Sequence, residues 1–343
     1  MAALSAADAL SPAIQRARTF LFRPFRWGTY LKLCLVALLT EGLGGNINVS
    51  SHRHAGRPPV FPPESSPFHF NPAWIVVAVM AMILALLLGG FLFYLITRLR
   101  FAYFYSLAYN VREIRPGWHQ YREPAVRFFW MNIAVGVCFL LAIGVIALPF
   151  VAGFVRLFHE SQAGGRLDVG LLISLLLPII PIILLLIVVG IGVDLVLRDF
   201  MLPHYALENA TAGQAWAAVW ARIRMEKGPF FFYALLRVFL PIVAVVALFL
   251  VLLIPGIFFV AGNALIEVGI HVAFSGASGG VAALGVVLQV LVGLIIFAIA
   301  FVVALCFGGP VSTAIREYAL IFYGGRYRTL GEILYPPTAP GMA

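Results

Sequence analysis

Asp194, Arg237 and Lys32 are ionisable side chains set inside long apolar runs, where each could bind an ion, relay a proton or hold a charged headgroup. A charge in hydrocarbon costs about 2.5–3.5 kcal/mol on insertion scales, so each needs a partner or a purpose. Asp194 ends the stretch Gly190-Ile191-Gly192-Val193-Asp194, and Arg237 lies eight residues past Pro229, about 12 Å along a helix. Antiparallel neighbours would bring the two to one depth, which predicts an Asp194–Arg237 ion pair with Arg198 or Asp199 nearby. Such a pair could fix the register of two helices or line a transport path. Lys32 lies about 8 Å into its run and can extend its ammonium to the headgroup layer. Glu41 closes the same run, and Glu267 follows another; both are expected to meet water on the outer side.

Other reactive constellations are missing from the sequence. It holds no Walker loop, HExxH, GxSxG or CxxC pair, so no catalytic residue is assigned and no enzymatic activity is expected. His119, His159, His204 and His271 fall in separate segments. His52, His54 and His69 share one segment but have no carboxylate or Cys partner there, so neither a metal nor a cofactor is expected. Cys34, Cys138 and Cys306 are embedded in apolar runs and read as small packing residues. Asn48-Val49-Ser50 matches a glycosylation sequon, a pattern common by chance.

The elements that must position these charges are membrane spans. The chain has 343 residues, of which 62% are hydrophobic and 11% charged, far from the roughly 25% charge of soluble domains. A hydrocarbon core needs about 20 apolar residues per helix. Runs at 27–43, 74–97, 128–154, 169–197, 229–260 and 281–306 meet or approach that length, the first being short and carrying Lys32 and Glu41. No continuous apolar h-region precedes position 27, so the chain is expected to insert through its own spans. The connecting segments alternate in charge: 17 basic residues fall on one side and Arg53, Arg57, Arg156 and Arg166 on the other. The basic side is cytoplasmic by the positive-inside rule, which places both termini in the cytoplasm of a multi-pass cell (inner) membrane protein. The net charge of +9 is then topology signal and attraction to anionic lipid headgroups, and nucleic acid is not an expected partner.

An internal repeat organises the spans. Pro24, Pro124 and Pro229, separated by 100 and 105 residues, each follow a charge and precede an aromatic cluster and a span. Each is also preceded by a candidate surface helix: Leu10, Ile14, Ala17 and Leu21 at helical spacing, a shorter stretch around Trp118 and Tyr121, and the capping box Thr211-x-x-Gln214 followed by Trp216, Trp220 and Ile223. These stretches read as amphipathic helices at the cytoplasmic interface, with Trp118, Trp216, Trp220, Arg222 and Arg224 meeting lipid or a partner. The expected fold is therefore an all-α integral membrane protein. It is a six-helix transmembrane bundle forming a single membrane domain over 1–343, with three pseudo-repeated hairpins each led by an interfacial helix. The units run 10–110 (with a Pro-rich outer loop at 44–71), 111–210 and 211–325, followed by a tail at 326–343.

Four stretches carry a resemblance. They are Leu21-Phe22-Arg23-Pro24-Phe25, the segment from Arg100-Phe101 to Trp118, Arg198-Asp199-Phe200-Met201-Leu202-Pro203 with Ala215-Trp216, and Arg316-Glu317-Tyr318-Ala319-Leu320. Their order resembles an uncharacterised family of bacterial multi-pass membrane proteins and, more loosely, the membrane domain beside some glycerophosphodiester phosphodiesterases. The catalytic barrel of those enzymes has no counterpart here, so the resemblance implies no phosphodiesterase activity. Two expectations follow. One is a membrane-organising or accessory protein that binds lipid or a partner, in which a homo-oligomer or another membrane protein is the expected companion. The other is a small transporter or channel-like protein for a lipid or small solute, which a polar cavity reaching Asp194, Arg237 or Lys32 would favour.

Overall fold

The structure is a computed structural model that describes residues 4–42, 72–162, 169–276 and 278–336. The three outer histidines, the sequon at Asn48, Arg53, Arg57 and the loop at 44–71 lie outside the described residues. Among the described residues the protein is all-helical, as a chain of long apolar runs must be, because in lipid every backbone N–H and C=O has to be satisfied within its own segment.

Five helices are long and apolar enough to cross a membrane: α3 (Pro72–Ala108), α5 (Arg122–Gln162), α6 (Val169–Leu195), α9 (Lys227–Phe274) and α10 (Gly280–Gly324). Shorter elements lie between them: α1 (Leu10–Phe22), α2 (Trp27–Ala37), α4 (Arg115–Gln120), α7 (Leu202–Leu207), α8 (Ala212–Met225) and α11 (Arg328–Leu334). The fold is thus multi-pass, but five candidate spans stand where six were expected. The sixth was the run at 27–43, which forms only α2 and a π-helical turn, Leu38–Gly42. Its far end does not travel the length of α3. The Thr40 carbonyl accepts a hydrogen bond from Arg100, which lies 28 residues, about 42 Å, along α3 from Pro72.

All the dense packing is at one end of the long helices. There the C-terminal parts of α3, α6 and α10 and the N-terminal parts of α5 and α9 meet α1, α2, α7 and α11. The chain termini meet here too: Arg326 donates to the Leu4 carbonyl and Arg16 to that of Leu334. Phe200, Phe230, Tyr233, Phe322 and Tyr323 form one aromatic core with ring centroids 4.4–5.5 Å apart in its closer pairs. Such pairs add about 0.5–1.5 kcal/mol each beyond simple burial. The helix shafts beyond this layer expose Leu, Ile, Val and Phe along most of their length, the surface a bilayer solvates.

The three surface helices expected from sequence form as α1, α4 and α8, but two of them pack on protein. α1 buries Ala13, Ala17, Phe20 and Leu21, lies mainly against α10, and leaves Ile14 of its predicted stripe exposed. α4 lies on α3 so closely that a Cβ on Gly117 would come within 2.9 Å of the Ala102 backbone. α2 crosses α10 at a comparable approach, where a Cβ on Gly309 would sit 2.3 Å from the Cβ of Cys34. In α8 the predicted capping box is present, Thr211 and Gln214 each accepting from the other's backbone N–H.

Candidate functional site: a buried charge layer under an open cavity

α6 passes into a π-helical turn, Val196–Met201, just before Pro203. Proline has no N–H for the carbonyl four residues back, that of Asp199, and its ring crowds it, so the ladder widens locally. The turn buries two consecutive charged residues, Arg198 and Asp199, which in a regular helix would point about 100° apart.

Asp199 is the hub of one half of the site. One carboxylate oxygen accepts from the Tyr233 hydroxyl at 2.8 Å and from Arg237 Nε at 2.9 Å, and the other from Arg316 Nη1 at 3.0 Å. Glu41 is the hub of the other half, accepting from Arg198 at 2.6 Å and Arg237 at 3.0 Å, with Arg316 3.8 Å away. The Thr40 carbonyl beside it accepts from both Arg198 and Arg100. Three helices of the packed end, α3, α6 and α10, thus each send one arginine (Arg100, Arg198, Arg316) to the end of the α2 segment. Its terminal carbonyls and Glu41 are the natural acceptors for positive charge. Isolated, none of these ions could be buried; together they compensate most of one another's charge.

Arg237 therefore pairs with Asp199 and Glu41 in place of the expected Asp194, while Asp194 stands 3.7 Å from Arg198. The expected partner was displaced by five residues because the π-helical turn, invisible to a 3.6-residue count, brings Asp199 inward. Asp199 is 1% exposed and Asp194 53%. Glu41, expected at water on the outer side, is instead buried in the layer. Lys32 is exposed and joins neither hub.

Above the hubs, the Leu38–Gly42 turn, α6, α9 and α10 leave a cavity of about 710 Å³. Its buried polar lining is Glu41, Arg198, Asp199, Arg237 and Ser312, with the half-exposed Asp194 at the edge; its walls are apolar, among them Ile191, Val238, Pro241, Val245 and Val311. Asp194 is the solvent-reaching carboxylate of its lining, which marks that side as the mouth. It has the size and the mixed lining, apolar walls with few convergent polar groups, of sites that hold small amphiphiles.

The other residues expected to meet lipid divide between surface and interior. Trp216 and Trp220 are exposed and stacked, ring centroids 5.9 Å apart, with Arg224 over Trp220 at 5.2 Å. Trp118 is half-buried, its ring beneath Arg98 at 4.3 Å. Arg222 turns inward to the Arg326 carbonyl, the Tyr327 ring and His204. His204 also bonds Glu208 at 3.0 Å. Burial works against the Glu208 carboxylate, yet the His204 hydrogen bond and the charge of Arg222 hold its pKa below the ordinary carboxylate value. Among the described residues no three His, Cys, Asp or Glu side chains converge as metal ligands.

The sequence placed Arg198 or Asp199 near the expected pair without assigning either as a partner, and Arg316 and Arg100 stood only among the boundary residues. A signal was present: Arg100-Phe101, Arg198-Asp199-Phe200 and Arg316-Glu317-Tyr318 each close a long apolar run with Arg beside an aromatic. Three arginines at one position of three runs need a common acceptor, although Glu41, expected at water, was not marked as that acceptor.

Long apolar helices packed most densely at one end, around a buried layer of ions, define a multi-pass α-helical membrane protein. The chain belongs to the family of unknown function DUF7544, whose family model matches residues 4–333. No curated protein and no solved structure matches it.

Proposed function

We propose that the protein is a lipid-binding accessory or membrane-organising protein of the bacterial inner membrane, and that the cavity over the charge layer is its lipid site. The observation that carries this reading is the pairing of apolar walls with a floor of fixed charges in an open cavity of about 710 Å³. A soluble metabolite has no use for such walls, whereas a lipid presents a charged headgroup and an apolar tail together. The bias of 17 basic residues to one set of connecting segments supports placing this end at the cytoplasmic face. The close packing of α1 against α10 and α11 supports both termini on that side. Five crossings alone would put the termini on opposite faces, and a plan of three hairpins with six crossings is the reading that keeps them on one. Trp216, Trp220 and Arg224 on α8 serve as a headgroup anchor in this reading.

Native mass spectrometry of the full chain released from membranes tests the reading. Retained phospholipid on the wild type, lost in Val245→Trp, which fills the cavity from an exposed wall position, is the expected result. Equal retention by both proteins would defeat it. Transport is the second reading, favoured by the reach of the cavity to Asp194 and Arg237. Lipid scrambling or solute flux by reconstituted protein, blocked by Val245→Trp, would replace binding with transport.

A further inference from the structure

Resting on the lipid-binding reading, we infer that the ligand of this cavity is a phosphodiester headgroup of single negative charge, seated against Arg198 with Arg316 and Arg237 behind it. The layer holds four guanidiniums, Arg100, Arg198, Arg237 and Arg316, against three carboxylates, Glu41, Asp194 and Asp199. One positive charge is therefore left over, and a buried excess of that sign calls for an anion.

Hydrogen bonding leads to the same ligand independently. Among the described residues Arg198 Nε and Arg316 Nη2 are buried without a hydrogen-bond partner. Arg198 is itself part of the cavity floor, with a side chain only 8% exposed, and Arg316 is 2% exposed. A guanidinium donor left unmatched in the interior costs more than a neutral one, and the forked geometry of arginine matches phosphate oxygens. Neither donor reaches a carboxylate oxygen: Asp199 accepts from Tyr233, Arg237 and Arg316 Nη1, and the bonds to Glu41 come from Arg198 Nη2 and Arg237. Ser312 adds a hydroxyl to the lining. The walls of α6, α9 and α10 continue outward as exposed apolar surface, giving an acyl tail a path out of the cavity. Basic pockets of this kind between helices at the cytoplasmic face suit anionic lipid headgroups.

Asp194 gives the inference its sharpest handle, because it lies at the mouth, is half exposed, and opposes an anion without serving either hub. Its removal should raise anionic-lipid affinity while leaving the fold intact, whereas a new carboxylate at Ser312 should lower it. The test is competitive loading of the full-length protein in nanodiscs containing equal phosphatidylglycerol and phosphatidylcholine, read by native mass spectrometry, with inorganic phosphate as a separate arm. We expect the wild type to prefer phosphatidylglycerol about tenfold, the worth of one charge-assisted hydrogen bond. Asp194→Asn should widen the preference and Ser312→Asp abolish it, with Val245→Trp losing both lipids. Lipid retained by the wild type without headgroup preference, and unmoved by Asp194→Asn, would overturn the assignment of a headgroup of net negative charge and leave lipid binding standing. No lipid retained in any variant would defeat the lipid-binding reading itself. Displacement of lipid by millimolar phosphate alone would overturn the lipid source in favour of a free anion.

Discussion

The two ends of the long helices are built on opposite principles. At one end Arg100, Arg198, Arg237 and Arg316 interlock with Glu41 and Asp199 beneath an aromatic core, and nearly every side chain there is buried. Along the shafts, residues such as Leu250, Phe258 and Leu284 are exposed on helices that touch little else. The shafts need only be apolar, because lipid is as good a neighbour as another leucine and gives no drive to associate. The packed end needs particular partners at particular positions, because a buried ion without its counterion is strongly destabilising. Membrane residence therefore resides in the shafts, and the identity of the fold resides in the ion layer.

Substitution can break this division, and the largest effect is expected at the hubs. Asp199→Asn strands Arg237 and Arg316 and should cost about 3–5 kcal/mol in thermal unfolding of the purified protein, while Asp194→Asn, half in water, should cost under about 1 kcal/mol. Similar losses from the two would erase the distinction between hub and mouth. Next comes the crossing of α2 over α10. Gly309→Ala places a methyl 2.3 Å from the Cys34 Cβ and should cost about 1–3 kcal/mol. Cys34→Gly should restore only part of this, since the Cys34 Cα would still lie 2.7 Å from that methyl. Full tolerance of Gly309→Ala would mean that α2 does not sit on α10. The smallest effect belongs to the shafts, where Leu250→Ala should shift stability by less than about 0.5 kcal/mol. A loss rivalling that at Asp199 would show shaft packing that the exposed surface does not.

The same division explains what could be read from the sequence. Long apolar runs announce themselves by length alone, so α3, α5, α6, α9 and α10 were all foreseen. So was the α8 start, because Thr211 and Gln214 form a local pattern. Arg237 and Asp194 were recognised as costly charges, and both do line one cavity. Their partners were only partly legible: Arg198 and Asp199 were expected nearby, but not as the pairs that form. Glu41 is 157 residues from Arg198 and 196 from Arg237, and nothing local marks it as the acceptor. A helical count points from Arg237 to Asp194, and only the π-helical turn before Pro203 moves the pairing to Asp199. Span one failed for a related reason: Lys32 and Glu41 were read as exceptions in a crossing helix, while Glu41 anchors α2 in the ion layer.

That exchange of partners is also where the account is most exposed. A pair of double-mutant cycles, Arg237→Gln with Asp199→Asn and Arg237→Gln with Asp194→Asn, measures it by thermal unfolding in one lipid nanodisc. Groups in direct contact couple by about 0.5–3 kcal/mol, and distant ones add. The structure predicts a coupling near the top of that range for Asp199 and close to zero for Asp194. A strong coupling to Asp194 with none to Asp199 would contradict it.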